Sequence, residues 1–270
     1  ISVLSDMMSY TFIVRAMIVG GLVALCSALL GVSLVLKRYS MIGDGLSHVA
    51  FAALTIAVAM NVAPLYISTP IVTVAAIILL RLSENSKIKG DSAIALISTV
   101  SIAIGVVVTA LTKGMNTDVY SYMFGSILAM SESDVYMSIA LSVVVIILFV
   151  FFYNKIFAVT FDESFAKATG TKADAYNMII AVLTAITIVV GMRIMGTMLI
   201  SSLIIFPALI SMRNFKTFKS VIICSAIVSV VCFLLGIILS YLYSIPTGAS
   251  IVLVNTVALI LSYLIGELRH

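Results

Sequence analysis

Asp44 and His48 stand four residues apart in the stretch Met41-Ile-Gly-Asp-Gly-Leu-Ser-His48. On an α-helix that spacing puts both side chains on one face, about one turn apart. The stretch lies in or at the mouth of an apolar segment. Ionisable groups in a membrane helix are costly, rare and functional by default. A carboxylate and a neutral imidazole make a hard-to-borderline donor pair for a divalent metal ion. Imidazole must be neutral to coordinate, so acid should weaken such a site. The plain alternative is structural: Asp44 caps a helix start, and His48 bonds a backbone carbonyl. The residues alone leave both readings open.

Other candidates are weaker. Ser47 could support the pair, but serine is common in membrane helices. Gly43 and Gly45 flank Asp44 and would let another helix approach closely. Asp118, Glu132 and Asp134 could receive metal or a partner, or simply be solvated. Met192, Met195 and Met198 recur every three residues; soft thioethers suit copper(I), but methionine is a common core filler. Pro207 removes a backbone donor inside an apolar run and should kink it. Cys26, Cys224 and Cys232 lie in apolar runs without CxxC spacing and read as small buried hydrophobes. There is no GxxxxGK[ST] phosphate loop, no HExxH and no GxSxG, so the chain is not expected to be an enzyme or to hydrolyse ATP itself.

The elements that must position these residues follow from composition. The 270 residues are 63% hydrophobic and 10% charged, against about 45–50% and 25% in a soluble domain. This predicts an all-α polytopic membrane protein, for which a net charge of +4 carries no nucleic-acid reading. Apolar runs place spans at about 11–36, 42–62, 65–82, 92–112, 135–153, 175–192, 195–212, 220–243 and 249–265, eight or nine in all. Ala63-Pro64 reads as a tight turn. Within 113–134 a short apolar piece, 119–130, cannot cross roughly 30 Å of hydrocarbon and reads as re-entrant. With the N-terminus outside, twelve Lys and Arg fall inside and three outside. The positive-inside rule therefore predicts N-terminus out and C-terminus in. One membrane domain over 1–270 is expected.

The longest polar connection, 154–174, holds Phe161-Asp-Glu-Ser-Phe-Ala-Lys-Ala-Thr-Gly170 on the inner side. Asp162 suits an N-cap, Glu163 the first turn and Gly170 a C-terminal stop. Phe165, Ala166 and Thr169 are predicted to share a face. A solvated connector and a docking helix for a soluble subunit both fit.

Four stretches together resemble the permease subunit of bacterial ABC importers for zinc, manganese and iron(II). They are LLGVSLVLKRYSMIGDGLSH (29–48), GSILAM (125–130), FDESFAKATG (161–170), and the pair GTMLI (196–200) with FPA (206–208) and PTGASI (246–251). The resemblance implies the fold of the cobalamin and siderophore importer permeases. It also implies a permease homodimer in the bacterial cytoplasmic membrane, two cytoplasmic ATP-binding subunits and an extracytoplasmic metal-binding receptor. Asp44 and His48 would relay the metal ion, which is cargo rather than a permanently bound cofactor. Asp162, Glu163, Phe165, Ala166 and Gly170 would couple to the ATPase. A chelate permease and an ion-coupled carrier are the alternatives. The second often shows inverted repeats, and none is visible in this sequence.

Overall fold

Backbone amides have no water to bond in a lipid core, so long uncharged runs close into helices. The computed structural model describes residues 9–39, 41–85, 90–112 and 132–267. Among them are eleven helices and no strand: α1 (Thr11–Leu36), α2 (Ile42–Ala59), α3 (Pro64–Asn85), α4 (Gly90–Leu111), α5 (Glu132–Phe151), α6 (Tyr153–Phe161), α7 (Glu163–Ala168), α8 (Ala173–Met195), α9 (Thr197–Asn214), α10 (Phe218–Tyr243) and α11 (Thr247–Glu267). Eight are long and apolar enough to cross a membrane; the apolar part of α9, Leu199–Asn214, is shorter. The fold is therefore all-α and polytopic, as expected. The piece at 119–130 and Asp118 lie outside the described residues.

Two boundaries differ from expectation. The turn between α2 and α3 falls at Met60 to Val62, with Asn61 left-handed at φ 53°. Pro64 instead opens α3, where its missing N–H costs nothing. The connection 154–174 also contains α6, an additional short helix. Its Ile156, Val159 and Thr160 face inward at helical spacing, a signal blurred because the outward positions include Phe157 and Phe161, which are exposed.

Helices α1 and α2 form the centre, each with 72% of its apolar window buried, whereas α4 has 22% and α11 has 28%. Helix α1 packs against α5, α8, α9 and α10. Small residues set these crossings. Ser229 Oγ donates to the Ala24 carbonyl at 2.8 Å, and Ser250 Oγ to that of Gly236 at 2.9 Å. At Gly31 a Cβ would stand 2.2 Å from the Ile204 carbonyl oxygen, so α1 and α9 touch backbone to backbone.

Candidate functional site

The start of α2 is clamped from two sides. A Cβ on Gly43 would meet Ile204 Cδ1 of α9 at 2.9 Å. One on Gly45 would meet Ile94 Cγ2 of α4 at 2.7 Å and Ser98 Oγ at 3.5 Å. Both glycines thus serve close helix approach, as their types suggested. Between them Asp44 keeps a side chain 45% exposed, with that of His48 at 24%, on a helix otherwise mostly buried.

Asp44 Oδ2 lies 3.7 Å from His48 Nε2, too long for a direct hydrogen bond. Two ligands each about 2.1 Å from one ion, at tetrahedral to octahedral angles, sit roughly 3.0–3.4 Å apart. A small rotation of either side chain closes that difference. The capping alternative loses ground, because the N-cap of α2 is Met41 and no side chain caps it. Asp44 lies in the first turn, where the helix dipole favours a carboxylate. Ser47 Oγ donates to the Asp44 carbonyl at 2.7 Å, so its hydroxyl serves the backbone. Ser98 is a neighbour that sequence reasoning missed. Its buried hydroxyl has no hydrogen-bond partner among the described residues, and only the register of α4 on α2 reveals it.

The remaining candidates separate. Met192 and Met195 are buried core residues. Glu132 pairs with Arg15 at the end of the bundle opposite α7, and Asp134 is buried near it. Among the described residues, no three His, Cys, Asp or Glu gather as a metal site. Pro207 sits within a continuous α9, with Ser211 Oγ donating to its carbonyl at 2.7 Å.

At the base, α7 is built as its sequence suggests. Asp162 is the N-cap and accepts from the Phe165 N–H at 2.8 Å. Gly170, at φ 82°, ends the helix. The Gly170 N–H donates to the Lys167 carbonyl at 3.1 Å and that of Thr171 to the Ala166 carbonyl at 2.9 Å, a Schellman closure. The predicted shared face divides. Ala166 is buried against Val159 and Ala173, while Phe165 is 65% exposed and Thr169 is exposed too. Successive helical residues point about 100° apart, and α6 and α8 take the Ala166 side.

Glu163 sits in a dense charge cluster. Partial burial works against its carboxylate. Hydrogen bonds from Lys167 and Asn177 and the nearby Lys37 ammonium outweigh that and pull its pKa down to about 2. Hydrogen bonds to Asp174 and Glu163 raise that of Lys167. At the end of α6, Leu36, Phe161, Phe215 and Phe218 help line a cavity of about 320 Å³. Phe157, Phe161 and Phe218 cluster there in tilted and edge-to-face contacts, with ring centroids 5.0–5.7 Å apart.

Relatives of established naming match nearly the whole chain. The manganese import system permease protein ScaB of Streptococcus gordonii is 26% identical, over 95% of this chain and 92% of its own length. The high-affinity zinc uptake system membrane protein ZnuB of Haemophilus influenzae is 29% identical, over 92% and 95%. The solved PsaBC of Streptococcus pneumoniae in complex with Fab superposes with a TM-score of 0.87 at 26% identity, covering 97% of this chain and 94% of that one. An inward-facing metal-chelate type ABC transporter gives 0.75 at 16% identity over 93% and 85%, a likeness of fold. The ABC 3 transport family model matches residues 9–266, and the chain belongs to that family.

Proposed function

We propose that this chain is the membrane permease of an ATP-driven importer that carries a divalent transition-metal ion, manganese or zinc first, into the cytoplasm. The observation that carries the reading is the half-open Asp44–His48 pair, 3.7 Å apart on a helix otherwise mostly buried. One chain brings one carboxylate and one imidazole. A second copy across a two-fold axis would bring another of each. Two carboxylates would then neutralise an ion whose charge is costly away from water. Partial replacement of its water shell keeps binding weak enough for release. A chelate route would need a wide passage rather than ligands, so the pair favours a bare ion.

The same reading orients the molecule with its N-terminus outside and α7 in the cytoplasm. Exposed Phe157 and Phe161, whose ring centroids are 5.0 Å apart, and exposed Phe165 and Phe215 then belong to the cytoplasmic end, where exposed aromatics suit a protein interface. ATP-binding subunits are its proposed occupants, with Phe165 as a contact and Ala166 as the anchor of α7. A metal-binding receptor would dock at the opposite end.

The test is metal uptake by cells stripped of their own importers and given this permease with its operon partners. Manganese, zinc and iron are compared by elemental analysis for wild type, Asp44→Ala and His48→Ala at matched membrane levels. Accumulation of one metal by wild type, lost in both variants, is expected. Uptake that survives both substitutions refutes the site.

A further inference from the structure

Lys37 is the last place where a membrane protein should bury a charge without purpose. It is the C-cap of α1, and its side chain is only 8% exposed. An ordinary lysine at a helix end reaches out to the headgroups. This one turns inward. Its ammonium donates to Glu163 Oε2 at 3.3 Å and to Asn177 Oδ1. Asn177 is 3% exposed, and its Nδ2 donates to the same Glu163 oxygen at 3.1 Å. Three elements, α1, α7 and α8, therefore meet in one closed polar triangle. Lys167 braces it from outside, 3.0 Å from Glu163 Oε1 and 2.9 Å from Asp174 Oδ1.

The triangle also adjoins the start of α2. Lys37, Tyr39, Ile42 and Asn177 line one small void, and Ile42 is the first residue of α2. The described residues on either side of the connection between them are hydrogen-bonded in place. Arg38 is left-handed at φ 62°. The Tyr39 N–H donates to the Leu34 carbonyl at 2.8 Å, and the Ile42 N–H to the Tyr39 carbonyl at 3.0 Å. These bonds tie the connection back to α1 and forward to α2, whose first residue stands two positions before Asp44. Buried polar networks of this kind fix geometry, and breaking one partner leaves a charge uncompensated.

We infer that Lys37 is the positioning residue that links the docking helix to the metal-bearing helix: through Glu163 and Asn177 it carries displacement of α7 to the first turn of α2. The inference rests on the transport reading above and adds the path by which ATP-driven motion reaches the ion.

The test uses the whole importer in proteoliposomes, with manganese influx and ATP hydrolysis measured in the same vesicles. Lys37→Met, Lys37→Arg and Glu163→Gln are compared with wild type. Ions moved per ATP hydrolysed should fall at least about tenfold in Lys37→Met and Glu163→Gln. Lys37→Arg, which keeps the charge, should recover much of the ratio. If both rates fall together at constant ratio, the triangle only stabilises the fold and the inference is overturned. An unchanged ratio overturns it equally. Wild-type vesicles that move no manganese, zinc or iron refute the transport reading itself, a separate outcome. Glu163→Gln is nearly isosteric, so it decides the matter should Lys37→Met fail to assemble.

Discussion

Gly31→Ala is a change of one methyl group whose cost can be worked from the structure. The added carbon would stand 2.2 Å from the Ile204 carbonyl oxygen, 3.0 Å from its carbon and 3.1 Å from its Cα. Even close C–H···O contacts keep carbon and oxygen about 3.3 Å apart, so the deficit is roughly 1 Å. All three atoms are backbone, and no side-chain rotation relieves them. Helices α1 and α9 must separate along their contact. Overpacking of this kind costs about 1–3 kcal/mol, and a backbone clash belongs at the upper end. Alanine returns up to about 1 kcal/mol of helix propensity. The net loss is then about 2 kcal/mol, or roughly 4–8 °C in melting temperature for a chain of this size. The assay is thermal unfolding of the detergent-solubilised permease at fixed scan rate, beside Gly21→Ala. A Cβ on Gly21 meets nothing within 4 Å, so that variant should match or slightly exceed wild type. Equal melting of the two variants would refute the claimed backbone contact.

Three further outcomes are expected. Asp162→Ala removes the cap of a six-residue helix, costs about 1 kcal/mol, and, on the proposed docking role of α7, should lower co-purification of the proposed ATP-binding subunits while the membrane bundle still melts normally. The Glu163 carboxyl is held near pKa 2, below its ordinary 4.5. Its contribution is therefore complete above pH about 5 and drains away as pH falls through 4.5 towards 2, with more than half gone by pH 3. With its side chain 36% exposed, screening leaves roughly 1 kcal/mol, readable as a wild-type advantage over Glu163→Gln that narrows in acid. Gly196 lies at φ 79°, ψ 168°, a region nearly closed to other residues. Gly196→Ala should cost about 1–3 kcal/mol in the same heating assay, and Gly170→Ala, at φ 82°, should be strained too although its added Cβ enters open space.

Much of this architecture is legible in the chain because lipid imposes one rule on every span. The apolar run 11–36 reappears as Thr11–Leu36 without change, and the caps of α7 are set by Asp162 and Gly170, whose chemistry is local. The four-residue spacing of Asp44 and His48 was enough to put them on one face. What stayed hidden is non-local. No pattern near Lys37 announces that it turns inward to a glutamate 126 positions later; its place after an apolar run reads equally as an interfacial lysine. Ser98 is one serine among many until α4 is laid across Gly45. Phe165 and Ala166 look like one face of an amphipathic helix, and only the packing of α6 and α8 decides which of them turns inward.

The two glycines beside Asp44 have an evolutionary consequence. Each faces one particular isoleucine, the flexible Cδ1 end of Ile204 against Gly43 and the branched Cγ2 of Ile94 against Gly45. A methyl gained at either glycine is tolerable once its isoleucine has shrunk, and a shortened isoleucine leaves a void that such a methyl would refill. Substitutions at these four positions are therefore non-additive. Sequence drift around Asp44 and His48 should proceed by matched exchanges, glycine with isoleucine, while Asp44 stays where the two helices hold it.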